Sequence, residues 1–415
     1  MQFGLIGEKL GHSFSKSIHE QLGQYSYELK ELSCAELGDF MREKAFCGVN
    51  VTIPYKQEVM RYLDEIDPVA AKIGAVNTVV NRIGVLKGYN TDFAGLKALV
   101  ERSGAQLQGR KVLICGSGGT SLTALYAARA LGAASVYRLS RSAAHGCISY
   151  ESAYAEHTDA AVIINTTPVG MYPQTGGSAI DLERFKHLEA VFDVVYNPLR
   201  TDLMLAAKQR GLIAQGGLYM LVAQAVYASA YFLDTKCSEE RLESIYRSIL
   251  SARENIVLSG MPGSGKSTVG KLLATELQRP FADTDALVES AAGMPISEIF
   301  RQRGEAHFRR LESEAIARLS AQAGGKVIAL GGGAVLNPDN VRLLRHNGKI
   351  YFLNRSIEDI VPTADRPLAL DRQALQQRFE ERFDIYCGTA DRVVAVSGDA
   401  ASVAAAIGKD YGFES

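Results

Sequence analysis

The segment LSGMPGSGKSTVGKLL, residues 258–273, constrains this chain more than any other stretch. It holds the pattern G-x-x-x-x-G-K-S from Gly260 to Ser267, after the apolar run NIVLS and before a helix-like run. Backbone N–H groups of such a loop cradle phosphates, its lysine reaches the β and γ phosphates, and its hydroxyl ligates Mg2+. The residues expected to hold ATP are therefore Gly263, Ser264, Gly265, Lys266, Ser267 and Thr268, with Ser267 also on the metal. The strand–loop–helix context implies a P-loop domain with a parallel sheet.

A second glycine turn of different design stands upstream, in KVLICGSGGTSLTALYAARALG, residues 111–132. Gly116 and Gly118 suit a tight turn with close approach to a pyrophosphate, and the helix that follows favours the anion at its N-terminus. A third glycine would fall at 121, where Ser stands. The next strand ends in YRLSRS, which puts Arg141 about 20 residues beyond the loop, where an arginine accommodates the 2′-phosphate of NADP. The runs KVLIC, SVYRLSR, AAVIINTT and AVFDVVY are near-continuously apolar, as in a parallel sheet covered on both faces.

The first hundred residues alternate strand and helix signals. AVNTVVNRIGVLKGYN reads as two strands around a turn near Arg82–Gly84, and TDFAGLKALVERSG as a helix with Thr91 as N-cap and Gly104 at its end. At about 100–200 residues per domain, 415 residues suggest two to four domains. A formal charge of −1 argues against a nucleic-acid or membrane-surface role driven by bulk charge. Six scattered cysteines without a CxxC pair fit reduced thiols. The start, MQFGLIGEKLGHS, lacks the features of a secretory signal, so a cytoplasmic setting is expected. YMLVAQAVYASAYFL is 15 residues long, short of the roughly 20 that a membrane span needs, and reads as a buried helix.

In the N-terminal part, FGLIGEKLGHSFSKSIHE, GVNVTIPYK, GAVNTV, GYNTDFAG, NTTPVGM, DVVYNP and LVAQA occur in the order found in shikimate dehydrogenase. Residues 1–250 resemble that family. The resemblance implies a catalytic pair, Lys56 and Asp92. It implies carboxylate and hydroxyl contacts from Ser13, Ser15, Thr52, Asn77, Tyr196 and Gln224. Ser13 and Ser15, two apart, share a face if extended. NADP contacts fall on Gly116, Ser117, Gly118, Gly119, Thr120, Ser140, Arg141, Ser142 and Gly217. The family often has a second arginine where this chain has His145.

Behind the phosphate loop, FADTDALVE, GEAHFRRLESE, ALGGGAV, ADRPLA and RFDIY resemble shikimate kinase. Asp283 and Asp285 sit two apart and are expected at a strand end, one facing the metal and the other the acceptor. By resemblance, Asp283 helps hold Mg2+ and Asp285 is the base on the acceptor hydroxyl. Arg309, Gly332 and Arg382 bind the acceptor, Glu312 holds Arg309, and Arg366 closes over the ATP phosphates. The stretch carrying Arg366 is short for the family.

The expected fold is α/β throughout. A substrate-binding lobe spans 1–103 and 216–250, a Rossmann-type NADP domain 104–215, and a nucleoside-monophosphate-kinase-like P-loop domain 251–415. The expected function is reduction of 3-dehydroshikimate with NADPH, then phosphorylation of shikimate with Mg-ATP. Alternatives are a quinate-using dehydrogenase fused to a related kinase, or a metabolite-sensing regulator without turnover. The expected partners are small molecules, without nucleic acid or membrane.

Overall fold

The computed structural model describes residues 1–11, 14–23, 25–144, 146–321, 324–360 and 372–412. Ser13, His145 and Arg366 lie outside these residues. The chain divides into two units, Met1–Leu250 and Ser251–Ser415.

The first unit opens with strands β1 Phe3–Gly7, β2 Tyr27–Glu31, β3 Gly48–Val51, β4 Glu65–Ile66, β5 Thr78–Arg82 and β6 Val85–Tyr89. Helices α1 Ser15–Leu22, α2 Cys34–Glu43, α3 Pro68–Ile73 and α4 Thr91–Ser103 are interspersed. The strands form one mixed sheet in the order β2-β1-β3-β5-β6-β4. The β5–β6 hairpin turns at Ile83–Gly84, both in the left-handed region. α1 begins at Ser15 and is capped by Gly23, as the helical run SKSIHEQLG indicates, so Ser15 does not lie on an extended segment.

Next come β7 Lys111–Cys115, α5 Gly119–Ala130, β8 Ser135–Leu139, α6 Tyr150–Glu156, β9 Val162–Asn165, β10 Ala190–Asp193, α7 Asp202–Gln209 and β11 Ile213–Gln215. These five strands are all parallel, in the order β11-β10-β9-β7-β8. The order reverses at β7, so the glycine turn that leaves β7 opens at the switch point where such sheets bind ligands. β9 and β10 are buried at every position, which explains their unbroken apolar runs. Helices α8 Leu218–Leu233 and α9 Glu239–Arg253 follow. α8 is the apolar 15-mer of the sequence plus Leu218, and it packs against α4 in the largest core cluster. No helix among the described residues is long and apolar enough to cross a membrane.

The second unit contains β12 Asn255–Ser259, α10 Lys266–Glu276, β13 Phe281–Asp283, α11 Thr284–Ala292, α12 Ile296–Ala321, β14 Val327–Ala329, α13 Pro338–Asn347, β15 Gly348–Asn354, α14 Arg372–Thr389, β16 Arg392–Ala395 and α15 Ala400–Asp410. α12 is broken at Gly304. The sheet is parallel, in the order β13-β14-β12-β15-β16. Its central strand feeds the phosphate loop, with β14 and β15 ending on either side.

Candidate active sites

Lys56 sits in the tight segment after β3. Tyr55 N–H donates to the Thr52 carbonyl at 2.9 Å, Val76 N–H to the Lys56 carbonyl at 2.8 Å, and the buried Tyr55 hydroxyl to the Leu32 carbonyl. The segment is thus pinned from three sides. Lys56 Nζ meets Asp92 Oδ2 at 2.6 Å, with the two side chains only 25% and 15% exposed. Asp92 lies in the first turn of α4, where the helix field favours a carboxylate. The cap of that helix is Asn90, not Thr91. Asn90 Oδ1 accepts from Phe93 N–H at 3.0 Å. Thr91 is buried inward, its N–H and hydroxyl both directed to Asn77 Oδ1 at 2.7 and 3.2 Å, so it cannot serve as the cap.

Those contacts also orient Asn77. Its carbonyl oxygen is taken up within the fold, so what it offers a ligand is its amide hydrogens. The backbone of Gln224 lies against Gly95, within one turn of Asp92, and its Nε2 donates to the Leu221 carbonyl at 2.9 Å. Thr52 N–H donates to Ile6 at 3.0 Å, and the Tyr196 ring meets Phe14 edge-on at 5.2 Å.

At the glycine turn, Gly116 has φ 125°, and a Cβ there would lie 2.5 Å from Thr166 Oγ1. Only glycine permits the turn and the close approach of the β7 and β9 ends. Gly118 caps α5 without a side-chain hydrogen bond, and space is open in front of Gly118 and Gly119. Bare N–H groups at a helix start facing open space fit a pyrophosphate. Ser121, at the position of the missing third glycine, is buried and donates to the Gly118 carbonyl at 2.7 Å. Arg141 and Ser142 are exposed just after β8, Ser140 is buried, and Gly217 caps α8.

A buried polar cluster lies between the ends of β9 and β10. Asp193 accepts from Asn165 Nδ2 at 2.9 Å, Thr201 Oγ1 at 2.6 Å and Val195 N–H at 3.0 Å. Asn165 in turn receives Thr167 through N–H and hydroxyl at 3.0 and 2.7 Å. Asn165 and Asp193 are register partners across the parallel ladder. The motifs NTTP and DVVYNP were visible in the sequence, but not that they share one carboxylate.

Burial pushes the Asp193 carboxyl up from 3.8 to about 6, against the pull of its three donors. The folded chain therefore holds this proton more tightly than the unfolded chain. Its stabilisation is present below pH 4 and is lost as pH rises through about 6, an upper limit of about 3 kcal/mol. Urea unfolding of wild type and Asp193→Asn at pH 4.5 and 7 measures it. The wild type should lose more stability than the variant on going to pH 7; equal losses would show that Asp193 stays ionised throughout.

In the second unit, Lys266 Nζ donates to the carbonyls of Gly260 and Met261 at 3.0 and 2.8 Å, folding back over its own loop. Ser267 Oγ donates to Asp283 Oδ2 at 2.6 Å. These two hard oxygens fit Mg2+, which keeps several waters and needs few protein ligands. Asp283 ends β13, and its other oxygen caps α11 through Asp285 N–H at 3.0 Å. Asp285 is thus in the first turn of a helix, not at a strand end as the spacing suggested. Burial first, then the charge of Asp283, raises its pKa, as suits a base.

Gly331, Gly332 and Gly333 line a cavity of about 510 Å3 together with the phosphate loop, Asp283 and Asp285. A Cβ on Gly331 would lie 2.4 Å from Asp285 Oδ1, on Gly332 2.8 Å from Pro262, and on Gly333 2.4 Å from the Arg309 guanidinium. Arg309 donates to buried Glu312 at 2.8 Å as expected. Its other edge is taken by Glu305 at 3.0 and 3.3 Å, so an acceptor carboxylate would have to displace that exposed side chain. Arg382 Nη1 donates to the Gly332 carbonyl at 3.3 Å, joined there by the Tyr386 hydroxyl. Arg355 and Arg378 also line the cavity. The sequence reading missed both, since neither sits in a motif.

The family model described as the shikimate dehydrogenase substrate binding domain matches residues 5–79, and that of shikimate kinase matches 262–411. Shikimate dehydrogenase (NADP(+)) of Clostridium perfringens SM101 is 35% identical over 265 residues, covering 60% of this chain and 97% of that protein. The chain belongs to the shikimate dehydrogenase family, with a shikimate kinase domain behind it. It is an oxidoreductase and a phosphotransferase in one polypeptide.

Solved structures agree for the dehydrogenase unit. Shikimate dehydrogenase 1 of Peptoclostridium difficile has a TM-score of 0.54 at 36% identity, covering 60% of this chain and 98% of its own. Shikimate 5-dehydrogenase of Thermus thermophilus, solved with NADP(H) and shikimate, has a TM-score of 0.54 at 31% identity, covering 60% and 99%. The Rossmann-type sheet of the dehydrogenase and the P-loop of the kinase are thus family features as well as sequence expectations.

Proposed function

We propose that this chain reduces 3-dehydroshikimate to shikimate with NADPH and then phosphorylates shikimate to shikimate 3-phosphate with Mg-ATP. The observation that carries the reading is the Lys56–Asp92 contact at 2.6 Å, in a chain that also keeps an intact phosphate loop. A sensor without turnover has no need of an assembled proton donor.

In the first reaction NADPH supplies a hydride to the substrate carbonyl carbon. Lys56 donates the proton that the carbonyl oxygen needs, and its charge stabilises the developing alkoxide. Asp92 holds the ammonium in place and accepts from the new hydroxyl. Ser13, Ser15, Thr52, Asn77, Tyr196 and Gln224 bind the carboxylate and ring hydroxyls. Gly116–Thr120, Ser140–Ser142 and Gly217 hold the dinucleotide, with Arg141 on the 2′-phosphate. The substrate lobe is 1–103 with 216–250, and the dinucleotide domain is 104–215.

In the second reaction Mg-ATP supplies the phosphoryl group. Asp285 accepts the proton of the attacking hydroxyl. Lys266 leaves the loop carbonyls for the phosphates, Ser267 and Asp283 hold the metal, and Gly332, Arg309 and Arg382 seat the acceptor. Arg366 completes the charge over the phosphates. The oxygen that Lys56 protonates is the one Asp285 later deprotonates. All six cysteines are free, which fits a reducing cytoplasm.

The test is one reaction mixture of 3-dehydroshikimate, NADPH, Mg-ATP and the full chain, followed by mass spectrometry. Shikimate 3-phosphate should accumulate, and omission of NADPH should abolish it. NADPH oxidation that stops at shikimate would remove the kinase half of the reading. A preference for quinate over shikimate in NADP+ reduction would change the first substrate.

A further inference from the structure

The kinase cavity contains more positive charge than its expected roles consume. Lys266 is held by loop carbonyls, Arg309 is neutralised by Glu305 and Glu312, and Arg382 is bonded to the Gly332 carbonyl. Arg355 and Arg378 differ. Both line the cavity, and Arg355 Nε and Arg378 Nη1 are buried without any acceptor. Among the described residues no ion pair neutralises either guanidinium. Both side chains are half-buried, and two guanidiniums without a counterion on one cavity wall suit an anionic ligand.

Their positions indicate which anion. β15 runs parallel beside β12, with Phe352 in register with Ser259, so the end of β15 lies alongside the start of the phosphate loop. A Cβ on Gly260 would lie 2.8 Å from the Leu353 carbonyl. Arg355 comes directly after this strand, and its Nη1 lies 3.9 Å from where a Cβ on Gly265 would sit. Gly265 caps α10, where the helix dipole already favours phosphate. Arg378 precedes Arg382 by one helical turn on α14, so the two point from the same face into the cavity.

We propose that Arg355 and Arg378 bind the phosphate chain of the nucleotide, as guanidinium ligands beside Lys266 that are mounted on the end of β15 and on α14. This rests on the kinase reading above. Each planar fork can take two phosphate oxygens, which a lysine cannot.

Calorimetric titration of the full chain with sodium tripolyphosphate, Mg-ATP and shikimate separates the possibilities. Arg355→Met and Arg378→Met should each weaken tripolyphosphate and Mg-ATP by about 10- to 100-fold, the range of a charge-assisted hydrogen bond. Shikimate affinity should not change, and the thermal midpoint without ligand should not fall. Arg355→Lys should recover part of the loss, because charge returns without the fork; this variant also guards against a folding defect in Arg355→Met. Equal tripolyphosphate affinity in wild type and both variants would overturn the proposal. So would a selective loss of shikimate affinity, which would give the arginines to the acceptor carboxylate. Wild type that binds tripolyphosphate with these arginines but never phosphorylates shikimate would refute the kinase reading and leave this one standing.

Discussion

Replacing Lys56 with methionine should lower kcat for 3-dehydroshikimate reduction by about 10²- to 10⁴-fold, the usual worth of a positioned acid–base group. Methionine keeps much of the aliphatic bulk and removes only the charge and the proton. The loss should appear in kcat more than in KM, because the proton is needed only as the carbonyl oxygen gains charge. Asp92, left without its partner at 2.6 Å, becomes a partly buried carboxylate with no counterion. Asp92→Asn in the same background should therefore cost little more, since the two side chains act as a unit. Phosphorylation of shikimate by the same preparation should be unchanged. Reduction at the wild-type rate would remove Lys56 from the mechanism, and loss of both activities in a folded variant would end the two-enzyme reading.

The mirror experiment is Lys266→Met. Kinase turnover should fall by about 10²- to 10³-fold, as when one preorganised charge on a transition state is removed. Lys266 Nζ donates to the carbonyls of Gly260 and Met261, so the substitution also frees two loop acceptors. A variant with an altered melting profile would reflect that structural part. Asp285→Asn is the cleaner companion, because the backbone bond from its N–H to Asp283 is untouched. Dehydrogenase activity should be wild-type in both. Unimpaired phosphorylation by the Lys266 variant would mean that the loop does not serve the reacting phosphates.

Both glycine loops were legible because their chemistry is local. A tight turn and a helix start, joined in the second loop by a lysine six residues after Gly260, are all written within ten positions. The misreadings arose where a choice depended on a distant partner. Thr91 looked like a cap until Asn77 drew it inward. Asp285 looked like a strand-end residue until Asp283 capped the helix that carries it. Long-range register was illegible for a deeper reason. Nothing in NTTP or DVVYNP says that Asn165 and Asp193 lie side by side; the parallel ladder decides that. Arg355 likewise gained its place from strand order, since the end of β15 has meaning only beside β12.

The three glycines at 331–333 bear on how this enzyme could escape a drug. Their missing side chains are excluded by three separate neighbours, Asp285, Pro262 and Arg309. Two of those neighbours, Asp285 and Arg309, are the residues proposed to act on the acceptor. An inhibitor that presses against this wall touches backbone rather than side chain. Resistance by a single substitution there would push a methyl group against Asp285, Pro262 or Arg309. A compound anchored on that surface would leave the target few mutational routes that keep it active.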